Sequence, residues 1–147
     1  MCLANNIMLV DDDPLSNLLH RIVLRKSNPK FKIKTFSEPG EAFRFLKKQN
    51  ESRNDELPGI IFVDINLGES SGWSFIEELQ KMPPTRLSGL RVFILSSSLD
   101  RRDIEQSKAI SLIEEFIDKP LTIDKINSRF NLSSKGSLTE GAPSVLN

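Results

Sequence analysis

Five short strand-like stretches in this chain each lead into a residue that can do chemistry. Ile60-Ile61-Phe62-Val63 runs into Asp64, and Ile7-Met8-Leu9-Val10 runs into Asp11, Asp12 and Asp13. Phe31 to Phe36 is followed by Ser37, Leu90 to Leu95 by Ser96, and Glu115 to Ile117 by Asp118 and Lys119. Clustered carboxylates repel one another and so call for a cation. Oxygen donors with room for water and phosphate oxygens suit Mg²⁺. A carboxylate can also attack phosphorus and carry the phosphoryl group as an aspartyl phosphate. Phosphoryl transfer needs mainly positioning and charge neutralisation, to which a lysine and a hydroxyl both contribute. Taken singly, each residue has a plainer role. Asp13 before Pro14 is a helix cap, Ser96-Ser97-Ser98 can be a turn, and Lys119 before Pro120 can be a solvated charge. Their joint placement at successive strand ends is what points to a site.

Bringing these ends together requires parallel strands. The run before Asp64, apolar throughout and bounded by turn residues, has the pattern of a strand buried on both faces. Asn5 to Val10 is predicted as the first strand. A helix follows from Pro14 to about Ser27, with Leu15, Leu18, Leu19, Ile22 and Val23 as its apolar stripe. Lys32 and Lys34 alternate with apolar residues in the second strand, as on a sheet edge. A second helix carries Ala42, Phe43 and Leu46 inward, and Gln49 to Pro58 is predicted as a surface loop. A third helix starts near Gly72 with Phe75, Ile76 and Leu79 on one face, and Pro83-Pro84 ends it. A fourth, from Asp100 to Ala109, has a thin apolar face, mainly Ile104 and Ala109, and is expected to be loosely held. A last helix carries Ile123, Ile126 and Phe130. This alternation implies an α/β fold, a parallel sheet with helices on both faces. From Ser133 the composition turns to Ser, Gly, Thr and Pro without periodicity, and residues 133–147 are expected to form a disordered tail.

The 147 residues suffice for one domain. Lys plus Arg is 20 and Asp plus Glu is 20, a balance that argues against nucleic acid or a membrane surface as the main partner. The one cysteine, Cys2, cannot form an internal disulfide, as suits a reducing cytosol. No stretch has the signature of a signal peptide or approaches the roughly 18 residues that span a bilayer. A cytoplasmic location is expected.

At this point the residues resemble a known family. Leu9-Val10-Asp11-Asp12-Asp13, Val63-Asp64-Ile65-Asn66 with Gly72, Leu95-Ser96-Ser97 and Phe116-Ile117-Asp118-Lys119-Pro120 resemble, in order and spacing, the receiver domain of two-component response regulators. The resemblance covers residues 5–132 and implies a flavodoxin-like (βα)5 sheet in strand order 2-1-3-4-5. It implies that Asp64 is the phosphoacceptor. Asp12 would bind Mg²⁺ directly, Asp11 largely through water, and Asn66 through its backbone carbonyl. Ser96 would hydrogen-bond the phosphoryl group and Lys119 would pair with it. Phe116 falls where the family keeps its switch aromatic, with Ser96 as the other switch residue. The implied donor is a sensor histidine kinase or a histidine phosphotransfer protein. The implied output is protein–protein binding through the surface of the fourth helix, fifth strand and fifth helix, by a monomer or weak dimer.

The chain departs from the family pattern at Leu67-Gly68, where Met-Pro is common. Glycine makes a loop more flexible than proline does. The serine run and Asp100-Arg101-Arg102-Asp103 resemble stand-alone bacterial receivers, so a bacterial source without an output domain is expected. Two other functions compete. A receiver-like interaction module would keep the fold without phosphorylation, against the intact set of Asp11, Asp12, Asp64, Ser96 and Lys119. An aspartyl phosphatase would need a general acid two residues after its nucleophile, and Asn66 stands there. His20 is expected as a surface or half-buried helix residue rather than a phosphodonor, and Trp73 as a packing residue that could report on the site.

Overall fold

The computed structural model describes residues 3–52, 57–67, 70–83, 88–98 and 100–130. Five strands form one parallel sheet: β1 (Leu3–Val10), β2 (Lys32–Phe36), β3 (Pro58–Asp64), β4 (Arg91–Ser96) and β5 (Ile113–Asp118). Their spatial order is β2-β1-β3-β4-β5, the order expected. Five helices connect and follow them: α1 (Pro14–Ser27), α2 (Pro39–Ser52), α3 (Gly72–Gln80), α4 (Arg101–Lys108) and α5 (Ile123–Phe130). Among the described residues no helix is long and apolar enough to cross a membrane. The tail 133–147 lies outside the described residues, as do Gly68 and Glu69.

Strand β3 is central, and all seven of its residues are buried. Because successive strand residues point to opposite faces, β3 and its neighbour β1 feed two cores. Met8, Val10, Ile61 and Val63 join Ala42 and Leu46 of α2 and Phe75, Ile76 and Leu79 of α3. Ile7, Leu9, Ile60 and Phe62 join Leu24 of α1 and Ile126 and Phe130 of α5 on the other face. There the rings of Phe62, Phe93 and Phe130 meet with centroids 5.1–5.9 Å apart. Each fully buried Phe or Leu contributes about 1.5–3 kcal/mol, so both faces clamp the strand that carries Asp64.

The structure corrects four expectations. Leu15, Leu18, Leu19 and Ile22 of α1 are 44–60% exposed, and the face turned inward carries Asn17, His20 and Leu24. Helical spacing identified a stripe correctly but could not say which side meets the sheet. His20 is buried, at 4% exposure, not on the surface. Helix α2 runs on to Ser52, so the start of the predicted loop at Gln49 is helical. The loop after Asp64 also holds more structure than expected, since Asn66–Leu67 pairs antiparallel with Ser70–Ser71. Helix α4 buries only Ser107, in line with its thin apolar face.

Candidate functional site

Helix α1 begins where β1 delivers its acids. Asp13 is the N-cap, accepting from the Leu15 N–H at 3.0 Å, with Pro14 in the first turn. That cap fixes the turn holding Asp11 and Asp12. Asp11 Oδ1 accepts from the Asp13 N–H at 3.0 Å, and its Oδ2 accepts from the Ser16 hydroxyl at 2.7 Å. Asn17 donates from Nδ2 to the Asp11 carbonyl at 2.9 Å, holding the backbone from beneath. Asp64 ends β3, and its Oδ1 accepts from the Asn66 N–H at 2.9 Å.

Gly72 makes this turn possible. Its N–H donates to the Ile65 carbonyl at 3.1 Å. A Cβ at position 72 would lie 2.5 Å from the Asp64 carbonyl oxygen and 2.7 Å from Ile65 Cα. Only glycine lets α3 start so close to the end of β3.

Lys119 crosses the sheet edge from the end of β5. Its Nζ donates to Asp11 Oδ2 at 2.6 Å and to Asp64 Oδ2 at 2.8 Å. The three side chains are 16%, 5% and 9% exposed, so water screens them little. Asp12 is exposed. Asp11, Asp12 and Asp64 each offer a carboxylate oxygen, all within 4.8 Å of one another.

Burial and charge divide the two buried acids. Burial pushes the Asp64 carboxyl above its ordinary value, more than Lys119 and the Asn66 amide pull it down. Burial also acts upward on Asp11, but there Lys119, Ser16 and the Asp13 amide together outweigh it and hold the carboxyl low. Burial acts downward on Lys119, and the two carboxylates overcome it and keep the ammonium charged. One ammonium against three acids leaves excess negative charge. Hard oxygen donors, one of them open to solvent, fit a divalent cation that retains water, as Mg²⁺ does.

Ser96 is fully buried at the end of β4. Its Oγ accepts from the Ser98 N–H at 3.0 Å and donates to the Ser98 carbonyl at 3.1 Å. The hydroxyl is thus engaged within its own loop. Phe116 is partly buried and packs against the core beneath α2 and α3. Trp73 is half-buried at the start of α3, and its Nε1 donates to Asp103 Oδ1 of α4 at 3.2 Å, tying the helix after the Asp64 turn to α4. Parallel pairing therefore brings Asp11, Asp12, Asp64 and Lys119 together. Ser96 and Phe116 lie on the neighbouring strands, in register through Ile94↔Phe116 and Ser96↔Asp118.

Sequence reasoning passed over Ser16 and Asn17, and weighed His20 only as a phosphodonor against a surface or half-buried helix residue. Asp13 starts a helix, so residues 16, 17 and 20 return to the strand end at helical spacing, a signal present in the sequence. Burial lowers the His20 pKa, with the positive charge of Lys119 adding to it, and Nδ1 lies 3.5 Å from Ser16 Oγ.

Comparison with known proteins gives a consistent result. The model of the response regulator receiver domain matches residues 7–131. Response regulator Rcp1 of Synechocystis sp. is 28% identical over 98 residues, 67% of this chain and 65% of that protein, so just under two thirds of that relative is spanned. Two-component response regulator ARR22 of Arabidopsis thaliana is 26% identical over 121 residues, 82% of this chain and 78% of that protein. A two-component response regulator from Cytophaga hutchinsonii superposes with a TM-score of 0.76 at 27% identity, covering 86% of this chain and 94% of that one.

Proposed function

The chain belongs to the response regulator receiver domain family, and from that premise we propose that it accepts a phosphoryl group on Asp64 and signals by binding another protein. The observation that carries this reading is Lys119 Nζ bridging Asp11 and Asp64 at 2.6 and 2.8 Å beside a third acid. The donor is a phosphohistidine of a sensor kinase or a phosphotransfer protein. An Asp64 carboxylate oxygen attacks phosphorus. The P–N bond breaks, and its electron pair stays on the imidazole nitrogen.

The remaining residues handle charge. Asp11, Asp12, Asp64 and the Asn66 carbonyl are the residues that would hold Mg²⁺, which when bound offsets the negative charge of the phosphoryl oxygens. Lys119 turns from Asp64 to the new phosphoryl oxygens, which carry more charge than the carboxylate did. Ser96 exchanges the Ser98 carbonyl for a phosphoryl oxygen. That exchange frees the loop leading to α4, a helix held by few buried contacts. Phe116 then repacks, and the surface of α4, β5 and α5 changes, which is a charge event biasing a two-state element.

A second observation supports a docked donor. The exposed leucines of α1 begin two residues after Asp13, at the same edge as the acids. Around Leu18 and Ile22 stand Arg21, Arg25 and Lys26. An apolar strip with a basic border suits a helical partner that brings its histidine to Asp64. The test is incubation with Mg²⁺ and acetyl phosphate. The expected product is a single phosphoryl adduct, prevented by a chelator and removed by hydroxylamine. An adduct that forms equally with chelator present contradicts the reading.

A further inference from the structure

We propose that Lys125 is a positioning residue that braces the Lys119 loop, so that the ammonium of Lys119 is held on Asp11 and Asp64. The proposal rests on the reading of Asp64 as phosphoacceptor. Lys125 stands in the first turn of α5, where the helix dipole disfavours a cation. Its own N–H donates to Thr122 Oγ1 at 3.1 Å, which caps the helix. A lysine here needs a local partner, and its side chain turns back over the cap. Nζ donates to the Asp118 carbonyl at 2.7 Å and to the Pro120 carbonyl at 3.0 Å. Those two carbonyls bracket Lys119.

The loop is therefore tied at three points. The Lys119 N–H donates to the Ser96 carbonyl at 2.9 Å, and Lys125 holds the carbonyls of the two residues that flank it in sequence. Hydrogen bonds from a charged donor are the strong ones. Lys119 must reach two carboxylates at once, at 2.6 and 2.8 Å. A small drift of its backbone would lengthen both contacts together. No part of Lys125 touches Asp11 or Asp64 by hydrogen bond, so its influence on the site passes through the loop.

The test compares wild type, Lys125→Met and Lys125→Arg, with and without Lys119→Met. Two quantities are measured: hydrogen exchange at the Lys119 amide, and the rate of phosphorylation by acetyl phosphate with Mg²⁺. The methionine variant should exchange the Lys119 amide faster and phosphorylate roughly three- to tenfold more slowly. Arginine keeps charge and donors and should recover most of both. On Lys119→Met the same substitution should still speed exchange but change any residual rate less than about twofold, because the residue being positioned is gone. An unchanged Lys119 amide overturns the proposal. So does an equal loss of rate in both backgrounds, which would mean Lys125 acts elsewhere. Wild type that accepts no phosphoryl group would overturn the functional reading instead, and the exchange data would then decide the brace alone.

Discussion

Replacing Gly72 with alanine adds one methyl group at the tightest point of the site. The new Cβ would sit 2.5 Å from the Asp64 carbonyl oxygen, 2.7 Å from Ile65 Cα and 3.1 Å from the Asp64 carbonyl carbon. Ordinary contact begins near 3.4 Å, so the closest approach is about 0.9 Å too short. All three neighbours are backbone, so no side chain can rotate away. Either α3 or the end of β3 must move. Overpacking of this kind costs about 1–3 kcal/mol, and a backbone-only clash belongs at the upper end. For a domain of this size that lowers Tm by about 8–12 °C. The displacement falls on Asp64 itself, so phosphorylation by acetyl phosphate should slow by about tenfold or more. Urea unfolding and the initial rate of adduct formation measure the two effects. Native stability together with a native rate in Gly72→Ala would refute the claim that this glycine sets the Asp64 turn.

Lys119→Met leaves Asp11 and Asp64 buried without their cation. Losing one partner of a buried pair costs about 3–5 kcal/mol, and protonation of a carboxyl relieves part of it, so about 2–4 kcal/mol is expected at neutral pH. The sign follows from the carboxylates. Without Lys119 both folded pKa values rise, which destabilises the native state above the ordinary value of 3.8 and is relieved as pH falls through the raised values. The gap from wild type in urea midpoints should therefore narrow in acid, and a constant gap would contradict the pairing. His20 carries the opposite kind of group. Burial and the charge of Lys119 lower its pKa below 6.5, Lys125 adding to this against Asp11, so its contribution is complete above 6.5 and is lost as pH falls toward the folded value. His20→Gln should flatten the stability profile as pH falls below the ordinary value of 6.5; parallel profiles would refute it.

Much of this molecule was legible from residue types because strand ends announce themselves. The apolar run into Asp64 is buried at every position, and the order of the five strands is as expected. Asp13 caps α1, as its place before Pro14 implies. Other features were hidden by ambiguity in the patterns. The α1 stripe of Leu15, Leu18, Leu19 and Ile22 has the period of a core face, yet the helix turns Asn17, His20 and Leu24 inward. Asn17 hydrogen-bonds the Asp11 carbonyl, a contact made with the helix in this rotation. Periodicity gives a face but not its partner. The role of Lys125 depends on contacts to the backbone carbonyls of Asp118 and Pro120, which spacing alone does not encode. The Ser96 hydroxyl, bonded within its own loop, is a conformational fact that no residue type records.

The central claim is that Asp64 carries the phosphoryl group. The most direct measurement is the intact mass of wild type and Asp64→Asn after incubation with Mg²⁺ and acetyl phosphate, followed by peptide mapping. Wild type should gain one phosphoryl group, on the peptide that contains Asp64, and Asp64→Asn should gain none. A phosphoryl increment of the same size on Asp64→Asn would contradict the account.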